Sequence, residues 1–194
     1  MTPRRALLCL SDPAVAAAVA ERLLLDGIDI VTAAPDADPD ATVRRALESG
    51  GLDVVVTDLV SPEPRPFIGT DPTVWFAEVS TALSRPFFLL RSATVALTAG
   101  SDARIVLVGN GWAAAADTNS TAASSVQGAG VALVKTLARD LGPHGITVNE
   151  VSAPTSSPAP SRAIAAAVSY LVSPLAGATT GQVLTVGTGG ELRP

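Results

Sequence analysis

Few side chains in this 194-residue sequence are of types that do chemistry. There is one cysteine, Cys9, one histidine, His144, one tyrosine, Tyr170, and one lysine, Lys135. A lone cysteine forms neither an internal disulfide nor a thiolate zinc cluster, and inside an apolar run Cys9 reads as a small core residue. His144 lies in Gly142-Pro-His-Gly145, a surface turn, and Tyr170 lies in Ala167-Val-Ser-Tyr-Leu-Val172, a packed aromatic on an amphipathic helix. What remains is a set of acids and an amide. Asp12, Asp58 and Asn110 each follow an apolar run of strand length, with Trp112 beside the amide. A carboxylate and an amide at strand ends can bind a polar ligand or polarise a water; aspartates without a histidine make a poor metal site, and none is expected. One further stretch invites a chemical reading. Arg104 to Ala116, RIVLVGNGWAAAA, runs from an apolar strand into Gly-x-Gly-x-x-Ala, the outline of a dinucleotide-binding turn. Such a turn needs a second strand carrying an acid about 20 residues on. The stretch there is Gly128–Ala138, helical and uncharged except for Lys135.

The elements that must position these residues alternate along the whole chain. Strands are expected near Ala6–Leu10, Asp29–Ala33, Asp53–Leu59, Arg104–Val108, Thr147–Val151 and Gln182–Val186, and helices near Pro13–Asp26, Pro39–Ser49, Thr73–Thr98, Thr121–Leu141 and Ser161–Val172. Strand and helix in turn predict a single α/β domain with a mostly parallel sheet over residues 1–194. Ser11-Asp12-Pro13 supplies a cap and a first-turn proline for the first helix, and Asp26-Gly27 ends it. Leu141-Gly142-Pro143 is expected to stop the fourth in the same way. Ser61–Asp71 and Ala153–Ser161 are proline-rich and read as loops. Apolar residues make up 47% and charged residues 16%, which excludes a disordered chain. A net charge of −5 and a pI near 4.7 argue against an extended nucleic-acid surface. No apolar run approaches the roughly 18 residues of a membrane span. The apolar run after Arg4-Arg5 is cut by Asp12-Pro13 below signal-peptide length, so a cytoplasmic protein is expected. Arginine outnumbers lysine and alanine is abundant, a composition suggesting a GC-rich bacterial genome.

Four segments in order carry a resemblance. Leu137-Ala-Arg-Asp-Leu-Gly-Pro-His-Gly-Ile-Thr-Val-Asn149 resembles the run between the fifth helix and sixth strand of short-chain dehydrogenases/reductases. Ala20-Glu-Arg-Leu23 with Asp26-Gly27 is similar to their first helix, Gly51-Leu-Asp-Val-Val-Val56 to their fourth strand, and Thr180-Gly-Gln-Val-Leu-Thr-Val186 to their last. The resemblance implies a doubly wound Rossmann-like sheet. From Val31–Asp36 the chain passes directly to Pro39–Leu47, so one helix and one strand of the family order 3-2-1-4-5-6-7 are missing. The expected order is then 2-1-4-5-6-7, with the adenine side of the cofactor pocket lost.

The resemblance also says where the family's chemistry would stand. The phosphate-binding glycines fall at Leu10, Ala14 and Ala16, the ribose-binding acid at Ala34, and the Asn-Asn-Ala-Gly run at Thr57-Asp-Leu-Val60. The family's active-site Asn, Ser, Tyr and Lys fall at Ala82, Asn110, Ala123 and Gln127. Because Lys135 precedes Tyr170, Tyr-x-x-x-Lys occurs nowhere. These replacements lead to the expectation that no cofactor is bound, NAD(P) included, and that no dehydrogenase activity remains. The family's usual substrate-covering segment is reduced to Pro154–Pro160. The function expected is assembly: a non-catalytic subunit, as a homodimer or with an intact paralogue that it stabilises or regulates. Family members associate through helices matching Thr73–Thr98 and Thr121–Leu141 and through the last helix and strand. Here Phe87-Phe-Leu-Leu90, Val131-Ala-Leu-Val134 and Leu137 supply apolar surface, and Gly128, Ala129, Gly130 and Ala132 allow close approach. The same residues can instead pack on their own sheet, and periodicity does not separate the two. A second class is a repurposed non-redox enzyme (cyclase, isomerase or lyase) or ligand-binding protein using a cleft at Asp58, Asn110 and Trp112. An NAD(P)-dependent oxidoreductase is third.

Overall fold

The computed structural model describes residues 3–48, 50–100, 102–109, 118–153 and 161–187. Six strands form one parallel sheet: β1 (Arg5–Cys9), β2 (Asp29–Thr32), β3 (Val54–Asp58), β4 (Arg104–Gly109), β5 (Thr147–Ser152) and β6 (Val183–Thr185). Their spatial order is β2-β1-β3-β4-β5-β6, which is the expected 2-1-4-5-6-7 order renumbered. The helices are α1 (Pro13–Leu25), α2 (Pro39–Glu48), α3 (Pro72–Leu97), α4 (Thr121–Leu141) and α5 (Ser161–Val172).

The central strands are nearly continuous runs of Val, Leu and Ile because both faces of the sheet are covered. Leu7, Cys9, Val55, Ile105, Leu107 and Val148 pack with Val43, Leu89, Leu97 and Val134 of α2, α3 and α4. Ala6, Leu8, Val54, Val56, Val106 and Val151 pack with Val19, Leu23, Ile164 and Val168 of α1 and α5. Side chains alternate along each strand, so this division decides which residues can reach a common site. Cys9, Gly109 and Glu150 fall on the α2–α3–α4 face by that alternation.

Local signals set the helix ends. Asp12 caps α1, its carboxylate accepting from the N–H groups of Ala14 and Val15, and Gly27 leaves the helix at φ +78°. The fourth helix ends differently from expectation. Gly142 stays right-handed at φ −52°, the chain continues through a 3-10 turn over Gly142–His144, and Gly145 at φ +74° makes the reversal. Glycine is needed where φ is positive, not where the helix merely tightens. In α3, Pro86 sits inside the helix and has no N–H to give the carbonyl of Ala82.

Candidate functional site

Ligands of open α/β sheets bind beyond the carboxyl ends of the strands, at the switch in strand order. Here that point lies between β1 and β3, from which the chain moves outward in opposite directions. Two carboxylates each accept backbone N–H groups there. Asp58, the last residue of β3, accepts a hydrogen bond from Ser11 N–H at 2.7 Å (Oδ2) and from Ser11 Oγ at 3.4 Å (Oδ1). Asp12 Oδ1 accepts from Ala14 N–H at 2.8 Å and Val15 N–H at 3.2 Å. Burial raises the Asp58 carboxyl above its ordinary pKa, opposed by the Ser11 hydrogen bonds and by the charge of Arg85.

The resemblance sets Leu10 at a phosphate-binding glycine, which implies an isobutyl group in the phosphate position; this is corrected, because Leu10 is 7% exposed and belongs to the core under α1 and α5. Ala16 packs partly against the same core, while Ala14 is exposed in the first helical turn. What stands at the start of α1 is therefore not the isobutyl group but the pair of aspartates.

Beside Asp58 is a cavity of about 470 Å³ at the ends of β1, β2 and β3, between α2 and α3. Cys9, Asp36, Thr57, Asp58, Ala82 and Arg85 are among its lining residues. A cavity stands here although the third strand is missing, walled by the Pro35–Pro39 segment and α3. Arg85 is held by its Nε–H donating to Pro35 C=O at 3.1 Å. Burial pushes the Cys9 thiol up, the Asp58 charge adding to the effect, so it behaves as a core thiol rather than a nucleophile.

A second group lies deeper, beneath the end of β4. Gln127 of α4 donates from Nε2 to Glu150 Oε1 of β5 at 2.5 Å, with Gln127 4% and Glu150 0% exposed. Glu150 Oε2 is buried without a hydrogen-bond partner among the described residues. Burial raises the Glu150 carboxyl, with the Gln127 bond opposing. Gly109 leaves the room: a Cβ there would collide with Glu150 Oε1. Glu150 escaped the sequence reading, although its signal was present as one acid inside the buried run Thr147-Val-Asn-Glu-Val-Ser152. Arg85 was missed too, since nothing along α3 distinguishes it from a solvated arginine.

Of the other expected residues, Ala82 lies on the buried face of α3 at 6% exposure and Ala123 is half-buried on α4. Asn110 and Trp112 lie outside the described residues, as does Pro154–Pro160, so the proposed meeting of Asp58 with Asn110 has no geometry. Lys135 donates to Gly181 C=O at 2.9 Å, and His144 lies in the exposed 3-10 turn. Tyr170 is corrected: at 46% exposure it is not packed, and it lines a cavity of about 510 Å³ at the amino ends of β1 and β2, with Arg22, Asp26 and Ser169.

A doubly wound parallel sheet with polar groups gathered at its switch point places the chain among the open α/β proteins that take ligands in that crevice. Solved structures of the same fold include a dehydrogenase/reductase from Sinorhizobium meliloti 1021, at 24% identity and TM-score 0.83, covering 95% of this chain and 94% of that one. A 3-ketoacyl-(acyl-carrier-protein) reductase from Brucella melitensis complexed with NADH matches at 19% identity and TM-score 0.82, covering 96% and 97%. A hydroxysteroid dehydrogenase from Escherichia coli matches at 20% identity and TM-score 0.83, covering 97% of each chain. A comparison with curated proteins finds no match. The family model described as enoyl-(acyl carrier protein) reductase matches residues 33–162, and the chain belongs to that family, within the short-chain dehydrogenase/reductase superfamily.

The expectation of no cofactor is corrected by these findings: the chain's family is one of reductases, and a protein sharing the fold over nearly its whole length is complexed with NADH. The fit differs between the two halves of the site. The cavity at the ends of β1–β3 is open to a nucleoside-sized group. At the start of α1, by contrast, the N–H groups of Ser11, Ala14 and Val15 already hold carboxylates, so a pyrophosphate does not fit there in the family manner without displacing them. Among the described residues no helix is long and apolar enough to cross a membrane.

Proposed function

We propose that this chain retains the dinucleotide-binding framework of its family but not its hydride chemistry, and works as an assembly or regulatory subunit with a second copy or an intact relative. The observation that carries this reading is the state of Gln127. At the position where the resemblance puts a lysine stands a buried neutral amide engaged with Glu150, and one turn earlier Ala123 stands for the tyrosine. An amide and a methyl group supply no proton at a carbonyl oxygen and no cation to lower a phenol pKa. A nicotinamide dinucleotide is the ligand class this reading keeps, on the strength of the family and of the NADH complex of the Brucella reductase.

Assembly is supported by the outer face of α3. Phe76, Phe87, Phe88 and Val95 are 66%, 48%, 49% and 79% exposed. At about 100° per residue they fall within an arc of roughly 120°, away from the buried Ala82, Pro86, Leu89, Ala93 and Leu97. Phe87 and Phe88 meet edge to face with centroids 5.4 Å apart, an apolar patch of the kind that marks association surfaces. The test is light scattering of the purified protein together with NADH oxidation assayed against a panel of ketones and enoyl thioesters. A dimeric mass, or co-elution with an intact relative, with no turnover is expected. A monomer that oxidises NADH overturns the reading.

A further inference from the structure

The family's phosphate-binding position is not vacant in this chain: it is filled from within. Three backbone N–H groups at the entry to α1 are directed at carboxylate oxygens, Ser11 at Asp58 and Ala14 and Val15 at Asp12. The two acids come from different elements, one from the helix cap and one across the sheet from the end of β3. A capping aspartate alone is ordinary, because the first N–H groups of any helix need acceptors. The second carboxylate is not explained by capping. Asp58 is the neighbour in register beyond Cys9↔Thr57, and it reaches over the end of β1 to take the N–H group that precedes the helix. Together they place two negative oxygen pairs where the N-terminal donors and dipole of α1 would otherwise hold a ligand's phosphates.

We propose that Asp12 and Asp58 are an internal anion competing with a phosphate-bearing ligand for the start of α1, so that these two side chains set the chain's affinity for a dinucleotide. The inference rests on the dinucleotide reading above. The adjoining cavity receives the nucleoside portion, and the carboxylates oppose only the pyrophosphate. Binding displaces Asp12 from Ala14 and Val15 and brings phosphate oxygens against the Asp58 charge, which is costly while both acids are ionised. Around Asp58 among the described residues stand the Cys9 thiol of β1, Asp36 and Asp38 after β2 and Arg85 of α3, which line the same cavity, with Asp12 at the head of α1. Of these only the arginine favours a phosphate. Protonation of Asp58, whose carboxyl is raised by burial, relieves the competition, so affinity for the pyrophosphate increases as pH falls.

The experiment is calorimetric titration with NAD+, whose pyrophosphate keeps its charge from about pH 5 to 8. The proteins compared are the wild type, Asp58→Asn, Asp12→Ser and the double variant, with Asp71→Ser as a charge-matched control at the cap of α3. Asparagine keeps an acceptor for Ser11, and serine keeps the helix cap, so the charge changes with little change of structure. Thermal melts verify folding. Each single variant should bind about tenfold more tightly, a difference of about 1.4 kcal/mol, while Asp71→Ser leaves affinity unchanged. Wild-type affinity should rise toward pH 5, and Asp58→Asn should lose most of that slope. Binding by the wild type that neither variant tightens overturns the proposal and leaves the dinucleotide reading standing. Absence of binding in every protein, the double variant included, overturns both.

Discussion

Glu150 shows how one residue can sit outside the pattern of its own strand. The carboxyl is wholly buried, one oxygen is held by Gln127, and the other has no partner among the described residues. A charged carboxylate there would be expensive, so the group is retained as the neutral acid at pH values where an exposed glutamate ionises. The consequence for stability has a definite sign. Below about pH 4.3, the ordinary glutamate pKa, folded and unfolded chains both hold the proton and the site imposes no penalty. As pH rises the unfolded chain releases its proton first, and stability falls until the raised folded pKa is passed. Glu150→Gln removes this dependence while keeping a hydrogen-bonding group. Urea unfolding at pH 4, 6 and 8 should give nearly equal midpoints for the two proteins at the lowest pH and a growing advantage of the variant above it. A wild type that gains stability between pH 4 and 8 relative to the variant contradicts this account.

At the scale of elements, α4 is fixed to the sheet by close approach rather than by polar contact alone. Gly130 is buried, and a Cβ there would collide with the Leu59 side chain, itself 3% exposed after β3. The small residues of α4 therefore serve in part to seat the helix on its own chain, which settles for Gly130 the ambiguity left by periodicity. Gly130→Ala should cost about 1–3 kcal/mol by overpacking, despite the better helix propensity of alanine. Leu59→Ala leaves a cavity of its own, yet the double variant should be more stable than the sum of the two single losses implies, because the inserted methyl fills part of the gap. Additive losses in chemical denaturation would mean that the two residues do not share a contact. Trp75 of α3 adds a polar tie between helices, its Nε1–H donating to Thr121 Oγ1 of α4 at 3.0 Å.

For the whole molecule, the decisive feature is that the two faces of α3 differ. Leu89, Leu90, Ala93 and Leu97 are buried against the sheet, while Phe76, Phe87 and Val95 remain open. If that outer face is the assembly surface proposed above, Phe87→Glu should shift the mass in solution from dimer to monomer. The melting temperature measured at low protein concentration should change little, since Phe87 is already half exposed. An unchanged dimer would place association elsewhere, and a protein that unfolds would show that Phe87 stabilises the monomer.

The sequence by itself determined the strand and helix order, the missing edge strand and the cap that starts α1. These follow from local periodicity, from Asp12-Pro13 and from one segment too short to hold an extra helix and strand. The resemblance also set Ala123 and Gln127 at the positions of the family's tyrosine and lysine. It did not reveal what Gln127 touches, because Gln127 and Glu150 lie on different elements that only the packing of α4 against β5 brings together. Likewise the sequence placed Asp12 and Asp58 at neighbouring strand ends but did not show where Leu10, matched to a phosphate-binding glycine, would point. Side chains alternate along a strand, and Leu10, just past β1, keeps the face of Ala6 and Leu8, which α1 and α5 cover. Only the tertiary structure decided that Leu10 enters the core, leaving two carboxylates at the anion-binding end of α1.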